Sequence, residues 1–317
     1  MKTIAFFNNK GGVGKTSMVY HLSWMFRDMG HSVLAVDLDP QSNLTSIFLD
    51  ESEVEELWPE GKHPDTILGV IDPLLESLGD INSPKTRCIA TKLSIIPGDL
   101  GLSTFEDRIS EAWGKCLQDN AAIAGDGFRV ITAFHRVMKS AAVSCGSELV
   151  LIDVGPNIGA MNRAALVAAD YVVIPLGADL FSLQGLQNLG PTLRDWRLGW
   201  QTRLKGRVPD GLSLPSGQMN PLGYVLLNPS VRENRPVKSY LKWANRIPEV
   251  YARDVLELQP TANLAEDDPN QLAMLKHFKS LMPMAQDARK PMFHLTASDG
   301  AIGGHSAAVQ DCRAQFK

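Results

Sequence analysis

The chain predicts an α/β fold, a doubly wound and mostly parallel sheet with helices on both faces. Three observations support this prediction. Residues 2–7 form an apolar strand that leads into a glycine-rich turn and then a helix. Further short apolar runs of strand type recur along the chain, and helical patterns separate them. This alternation is typical of parallel sheets, because each crossover helix must pack on one face of the sheet.

The individual elements follow from local patterns. After the glycine-rich turn, apolar residues recur at helical spacing, and Gly30 supplies a left-handed stop. Residues 32–37 have the composition of a buried parallel strand, and the first two strands with their helix make a right-handed βαβ unit. Three further runs are predicted as central strands, and two patterns as helices between strands. The strands cover 148–153, 171–175 and 222–228, and the helical patterns are carried by Phe128, Ile131, Phe134, Val137 and Met138 and by Leu183, Leu186, Leu189, Leu193 and Trp196.

Two regions lack this periodicity. Residues 50–65 are acidic and contain prolines, and residues 201–221 are rich in glycine and proline. The second region is typical of a long loop, which in a compact domain is usually functional or mobile. The composition shows no break strong enough for a second domain. We therefore expect a single domain over residues 1–317, with a helical C-terminal extension at 260–317.

The composition narrows the class of protein. With 317 residues, 44% hydrophobic and 21% charged, the chain is an ordinary globular protein. A formal net charge of −4 excludes a bulk polycation, so any nucleic-acid binding must come from a local patch. The four cysteines (Cys88, Cys116, Cys145 and Cys312) are scattered, which favours free thiols in a reducing compartment. No signal peptide precedes the first strand and no apolar run approaches the ~20 residues that span a bilayer, so we expect a cytoplasmic protein.

The glycine-rich turn carries the clearest chemical signal. It reads Lys-Gly-Gly-Val-Gly-Lys-Thr-Ser from Lys10 to Ser17, at the mouth of the first helix. Successive backbone N–H groups in such a loop wrap the phosphates of a nucleoside triphosphate, and the helix N-terminus adds partial positive charge. Lys15 is expected to reach the outer phosphates, and the Thr16 hydroxyl to ligate Mg²⁺. The predicted nucleotide contacts are Gly11, Gly12, Val13, Gly14, Lys15, Thr16 and Ser17.

The loop departs from the usual spacing in one respect. Asn9 stands where a glycine is usual, and a second lysine, Lys10, precedes the glycines. A cation one turn upstream cannot easily bind the same phosphates from the same side. In this form the loop resembles the deviant Walker A loop of the ParA/MinD group of P-loop ATPases, and most closely the ParA partition ATPases. The resemblance implies MgATP binding, slow hydrolysis to ADP and an ATP-dependent homodimer in which Lys10 touches the partner's nucleotide as a catalytic group.

Aspartates follow two of the predicted strands. Asp37 ends one strand, with Asp39 two residues later, and Asp153 ends another. They lie at the sheet edge where hydrolysis needs a carboxylate near Mg²⁺ and a group that orients water. These segments resemble the Walker A′ and Walker B regions of the same family. The resemblance implies that Asp39 orients the attacking water, Asp37 supports the metal shell and Asp153 holds Mg²⁺ through water. Each aspartate could instead cap a helix or form a turn. The family commonly has two prolines after Walker B, whereas Gly155 precedes Pro156 here.

Asn228 ends the predicted strand at 222–228. Related P-loop proteins place an asparagine amide on adenine at this point, and a carboxamide offers both a donor and an acceptor to a purine edge. A turn asparagine before Pro229 is an equal alternative.

A basic stripe indicates one output of such a switch, non-specific DNA binding by the ATP-bound dimer to position or segregate a cargo. A helix starting at Pro236 would repeat cations every four residues on one face. Such a stripe binds phosphates without reading sequence, although a merely solvated face is an equal interpretation. The cations are Arg232, Arg235, Lys238, Lys242 and Arg246.

Two other outputs compete with DNA binding. A MinD-like membrane-positioning ATPase would need a basic amphipathic tail, and residues 301–317 are poorly suited to that role, so a membrane partner is not expected. An ATP-dependent ligase or synthase of the same fold, acting on a small carboxylate, is the alternative from another class. The resemblance also implies a partner protein that stimulates hydrolysis.

Overall fold

The molecule is built around one sheet, in a computed structural model that describes residues 1–228, 236–259, 265–278 and 280–317. The strands are β1 (Lys2–Phe6), β2 (Val33–Leu38), β3 (Arg87–Ala90), β4 (Leu93–Ile96), β5 (Leu149–Val154), β6 (Tyr171–Gly177), β7 (Asn220–Asn228) and β8 (Gln271–Lys276). Within the described residues their order is β3-β4-β2-β5-β1-β6-β7-β8. Neighbours are parallel except β3 and β4, which are antiparallel. The predicted doubly wound, mostly parallel sheet is confirmed.

Helices cover both faces of this sheet. They are α1 (Lys15–Asp28), α2 (Asn43–Phe48), α3 (Glu51–Leu57), α4 (Ile67–Leu75), α5 (Phe105–Lys115), α6 (Ala121–Ile131), α7 (Ala133–Cys145), α8 (Ala160–Val167), α9 (Leu180–Leu204), α10 (Pro236–Ala244), α11 (Ile247–Val250), α12 (Leu281–Ala288) and α13 (Gly304–Phe316). Short 3₁₀ turns lie at Leu100–Thr104, Ala265–Asp267, Met292–His294 and Ala297–Asp299, and a π-helical turn at Tyr251–Val255.

The alternation of side chains along each strand separates two apolar layers. In β2, Leu34 and Val36 belong to the layer formed with α4 to α9, whereas Val33 and Ala35 belong to the layer formed with α1, α2 and α3. Because both faces of the sheet are buried, the central strands consist mainly of apolar residues. Such apolar runs predict buried strands from the sequence. A third apolar cluster joins α12 and α13 to Met25 of α1.

The structure refines several predicted boundaries. The single apolar pattern at 128–138 is two helices, α6 and α7, which meet at Thr132. The Thr132 hydroxyl donates to the Phe128 carbonyl at 2.7 Å and accepts from Arg136 Nε at 3.2 Å, so this side chain marks the break. Residues 260–317, expected to be a helical extension, contain α12 and α13 and also the edge strand β8. The loop expected at 201–221 is shorter, since α9 runs to Leu204.

Candidate functional site

The glycine-rich loop joins the end of β1 to the start of α1. Gly12 and Gly14 have φ of +73° and +71°, a left-handed conformation that side chains rarely adopt. A Cβ on Gly12 would meet no atom within 4 Å, so the backbone is open to close approach on that side. Gly14 is the N-cap of α1 and provides no side-chain cap, which leaves the first N–H groups of α1 available to an anion. The loop therefore has the properties of an anion nest at a helix N-terminus.

Lys15 lies inside this loop and is only 7% exposed. Its ammonium donates to the carbonyls of Asn8 at 3.3 Å and Lys10 at 3.5 Å, both long contacts with neutral groups. Burial lowers the pKa of Lys15, while the charges of Asp153 and Asp39 act in the opposite direction. A buried cation with weak neutral partners is suited to receiving phosphate oxygens.

Asp153 is the most poorly satisfied carboxylate of the site. It is fully buried at the end of β5, and neither of its oxygens has a hydrogen-bond partner among the described residues. Burial raises its pKa well above the ordinary value, and the charge of Asp37 adds to that, while the Thr16 hydroxyl and Lys15 oppose it. Orphaned buried carboxylate oxygens beside a hydroxyl fit the hard oxygen donors that Mg²⁺ prefers.

Asp37 lies directly opposite Asp153 in the pairing of β2 with β5. One of its oxygens accepts from the backbone N–H and the hydroxyl of Thr45, at 2.8 and 2.7 Å, and the other accepts from the Asp39 N–H at 3.2 Å. Burial raises the pKa of Asp37 to about 7, and these hydrogen bonds act against that shift. Asp37 thus organises the turn after β2, and its place in a metal shell stays a prediction.

Asp39 is 7% exposed and accepts from the Gln41 N–H at 3.0 Å through Oδ1. The loop after β5 comes close to this carboxylate, since a Cβ on Gly155 would lie 3.4 Å from Asp39 Oδ1. The predicted role of Asp39 in orienting water is consistent with this position and stays a prediction.

Two residues that sequence reasoning missed hold the loop after β5. Asn162 is buried, and its amide donates to the carbonyls of Gly155 at 2.8 Å and Asn157 at 2.7 Å. The carboxylate of Glu106 in α5 accepts from the N–H groups of Ala160 and Met161 at 2.6 and 2.8 Å, which caps α8. The Glu106 contact joins residues 54 positions apart, so no local pattern reports it.

Lys10 has different surroundings from Lys15. Its ammonium lies 2.6 Å from Asp179 Oδ2 and 3.4 Å from Ser182 Oγ, at the N-terminus of α9. The side chains of this ion pair are 33% and 40% exposed. Next to it along α9, Phe181 is 70% exposed. Lys10 is thus held on α9, while Lys15 bonds to carbonyls of the loop.

The remaining predicted residues are placed only in part. Asn228 ends β7 opposite Lys276 of β8, and its side chain lies outside the described residues. Arg232 and Arg235 lie outside the described residues altogether, and Lys238 belongs to α10 without a described side chain.

Two cations of the predicted stripe are described in full. Lys242 and Arg246 are exposed, and their charged groups lie 5.1 and 5.3 Å from the centre of the Trp243 ring. Both distances are within the range of cation–π contacts, so the two cations share one aromatic surface. No helix among the described residues is both long and apolar enough to cross a membrane.

The chain is similar to a known protein family and to several curated proteins. A family model described as an AAA domain matches residues 1–205. IncC of Escherichia coli is 30% identical over 203 residues, which cover 62% of this chain and 47% of that protein. The sporulation initiation inhibitor protein Soj of Bacillus subtilis is 29% identical over 194 residues, 61% of this chain and 65% of that protein. The chain spans about half to two thirds of the length of these relatives.

Solved structures share the fold over most of the chain. Protein DIP2308 of Corynebacterium diphtheriae superposes with a TM-score of 0.70 at 25% identity, covering 91% of this chain and 97% of that one. A plasmid partition protein of Borrelia burgdorferi bound to AMPPNP gives a TM-score of 0.56 at 18% identity, covering 99% and 98% of the two chains. The second likeness concerns the fold alone.

Proposed function

The chain belongs to the AAA domain family, as a P-loop ATPase of the ParA/MinD type, and we propose that it acts as an ATP-dependent dimerisation switch. In this proposal each subunit binds MgATP in its glycine-rich loop, and two subunits close on the nucleotides. Hydrolysis to ADP is slow and leads to dissociation of the dimer, so the rate of hydrolysis sets the lifetime of the dimer.

The different surroundings of the two lysines carry this proposal. Lys15 is buried in the loop and available to the subunit's own phosphates, whereas Lys10 is paired with Asp179. A half-exposed ion pair of this kind contributes only about 0–1 kcal/mol. Moving Lys10 from Asp179 to a triphosphate of the partner subunit therefore costs little free energy. The exposed Phe181 beside it gains apolar burial in a closed dimer.

The residues of the site suit hydrolysis. Thr16 and Asp153 would hold Mg²⁺, which neutralises charge on the phosphates when bound. Asp39 orients the attacking water, and Lys15 with the loop N–H groups holds the phosphates in place.

Non-specific DNA binding is the output that we propose for the dimer. Curated relatives include a chromosome-partitioning ATPase Soj of Thermus thermophilus. Lys242 and Arg246 supply exposed cations, and two copies of the patch in a dimer would raise affinity for DNA phosphates. The protein would work in the cytoplasm with a stimulating partner protein.

The test compares the wild type with Asp39→Ala in the presence of MgATP. We expect Asp39→Ala to bind ATP and sediment as a dimer but to release little ADP, because its water is not oriented. Wild-type ADP release by this variant would remove Asp39 from the mechanism.

A second assay tests the output. Lys242→Glu combined with Arg246→Glu should cut retention of the ATP-bound protein on DNA, with Glu249→Ala as a surface control. Retention that is unchanged and insensitive to salt would exclude this patch. ADP release that responds to small carboxylic acids rather than to DNA would favour the ligase or synthase alternative.

A further inference from the structure

A cavity lies at the edge of the sheet opposite to the glycine-rich loop. Thr3 at the start of β1 borders it, together with Ala168 and Asp170, which precede β6. Because β1 and β6 are parallel, their first residues meet at this edge, whereas the glycine-rich loop follows the last residues of β1. The volume of the cavity is about 570 Å³, within the roughly 300–1,000 Å³ of small-molecule sites. The cavity is therefore large enough for a small ligand and is separate from the nucleotide site.

Helix α7 and the loop before β7 form the walls of this cavity. His135 and Lys139 lie one turn apart on α7, and both border the cavity. The Lys139 ammonium donates to Ser213 Oγ at 2.9 Å, and Nε2 of His135 lies 3.4 Å from the same hydroxyl. Ser213 thus joins the two side chains of α7 to the loop on the other side of the cavity.

The cavity contains one charged group of each sign, and neither forms an ion pair within the described part of the chain. Lys139 is exposed, and the neutral Ser213 hydroxyl accepts from its ammonium. Asp170 Oδ2 accepts from the N–H and the hydroxyl of Thr3 at 2.9 and 3.0 Å, and Oδ1 accepts from none of the described residues. A ligand with an ammonium and a carboxylate would give each group a charge-assisted hydrogen bond.

The two charges act on the same imidazole ring, which shows that both lie near it. Burial lowers the pKa of His135 to about 4, the charge of Lys139 adds to this shift, and the charge of Asp170 opposes it. His135 is therefore neutral at pH 7, and a neutral imidazole can accept as well as donate a hydrogen bond. Its contact with the Ser213 hydroxyl at 3.4 Å is long, so a polar group of a ligand would be a better partner.

The rest of the wall is apolar. Val143 of α7 borders the cavity and is 78% exposed, and Ala142, Leu214 and Pro215 lie around the same cavity. An apolar group that covers Val143 removes its surface from water, which is favourable. This wall therefore favours a ligand with an apolar side chain over a small polar molecule.

We propose that this cavity binds a free α-amino acid with an apolar side chain. Lys139 pairs with the carboxylate of the ligand, Asp170 with its ammonium, and Val143 contacts its side chain. The ligand class follows from the cavity itself, which combines an unpaired charge of each sign with an apolar wall. The inference concerns a site apart from the nucleotide loop and does not depend on the proposed ATPase function.

Calorimetric titration of the wild type tests the class of ligand without any variant. The probes are L-leucine, L-methionine and L-valine, with glycine as the probe that has no apolar side chain. Two analogues of the amino acid that binds most tightly each lack one charge, and for leucine these are 3-methylbutylamine and 4-methylpentanoate. We expect at least one of the three amino acids to bind with a Kd below ~1 mM, and glycine and both analogues to bind at least tenfold more weakly. The inference is overturned if none of the three binds in this range, or if glycine or either analogue binds as tightly.

Two substitutions then locate the bound amino acid. Lys139→Met and Asp170→Asn should each weaken its binding at least tenfold, because each removes one of the two charges that face it. Lys205→Met is the matched control, since Lys205 is an exposed cation that does not line the cavity, and this variant should bind like the wild type. Wild-type affinity in both cavity variants would show that the amino acid binds elsewhere and would overturn the assignment. If a cavity variant fails to fold, as shown by its urea midpoint, the other variant and the wild-type titrations decide the question.

Discussion

At the scale of single residues, the site is defined by two buried charges that their own chain leaves poorly paired. Lys15 has only two long contacts to carbonyls, and Asp153 has no hydrogen bond among the described residues. Burying such groups costs free energy that a bound phosphate and a divalent cation would recover. Ligand binding should therefore stabilise the protein as well as start the chemistry.

The clearest test of one residue is Lys15→Ala. The variant removes the buried ammonium that faces the loop, so it should lose ATP affinity by a hundredfold or more while folding normally. Titration with a fluorescent ATP analogue measures this, and Arg194→Ala, a surface cation on α9, serves as control. Tight ATP retention by Lys15→Ala would refute the site.

His21 gives a pH dependence with a defined sign. Burial lowers its pKa from 6.5 to about 4, the Ser17 carbonyl opposes this shift, and the charge of His294 adds to it. Between these values the unfolded chain binds more protons than the folded one, so stability is full above about pH 6.5 and falls as the pH drops toward 4. The contribution is about 3 kcal/mol at most.

The measurement is the free energy of unfolding in urea at a series of pH values. His21→Gln keeps one donor and one acceptor and does not titrate, so its stability should depend less on pH between 6.5 and 4. Identical slopes for the two proteins would show that His21 is not the responsible group.

At the scale of elements, the loop after β5 depends on a contact from another helix. The Glu106 carboxylate accepts two N–H groups at the start of α8, and a Cβ on Gly159 would lie 2.6 Å from Glu106 Oε1. A side chain at position 159 would therefore displace this carboxylate from the N–H groups that it caps. The cap fixes α8 and, through Asn162, the loop whose Gly155 approaches Asp39.

We expect Glu106→Ala to lose about 1–3 kcal/mol of stability, because two helix N–H groups lose a charged acceptor. Its ATP turnover should also fall, since the loop beside Asp39 is less well held. Urea denaturation and ADP release measure both effects, with Asp107→Ala, an exposed neighbour in the same helix, as control. Unfolding midpoints that match between the two variants would contradict the capping role.

The burial of each element explains which parts of the fold could be predicted from the sequence. The strands β1, β2, β5, β6 and β7 were predictable, because both of their faces are buried and their runs are apolar. Strand β3 was missed because its residues are half-buried or exposed, and β8 because it is an edge strand whose residues are also mostly half-buried or exposed. The glycine-rich loop was readable from a short motif. The contact of Lys10 with Asp179 was not, since it joins residues 169 positions apart.

At the scale of the whole molecule, strand β1 and its glycine-rich loop separate two different surroundings. The aspartates lie on the β2 and β5 side of β1, and a small cavity bordered by the glycine-rich loop lies at β7 and β8 on the other side. Lys10 is held on α9 beside the exposed Phe181, outside its own loop. A second subunit that covers this surface would accept Lys10 and bury the aromatic side chain.

The measurement that tests this account most directly is sedimentation velocity of the wild type and Lys10→Ala, each saturated with a non-hydrolysable ATP analogue and Mg²⁺. The account predicts a wild-type dimer and a Lys10→Ala monomer that binds the analogue with near-normal affinity. A wild-type monomer at saturation, or a Lys10→Ala dimer as tight as the wild type, would contradict it.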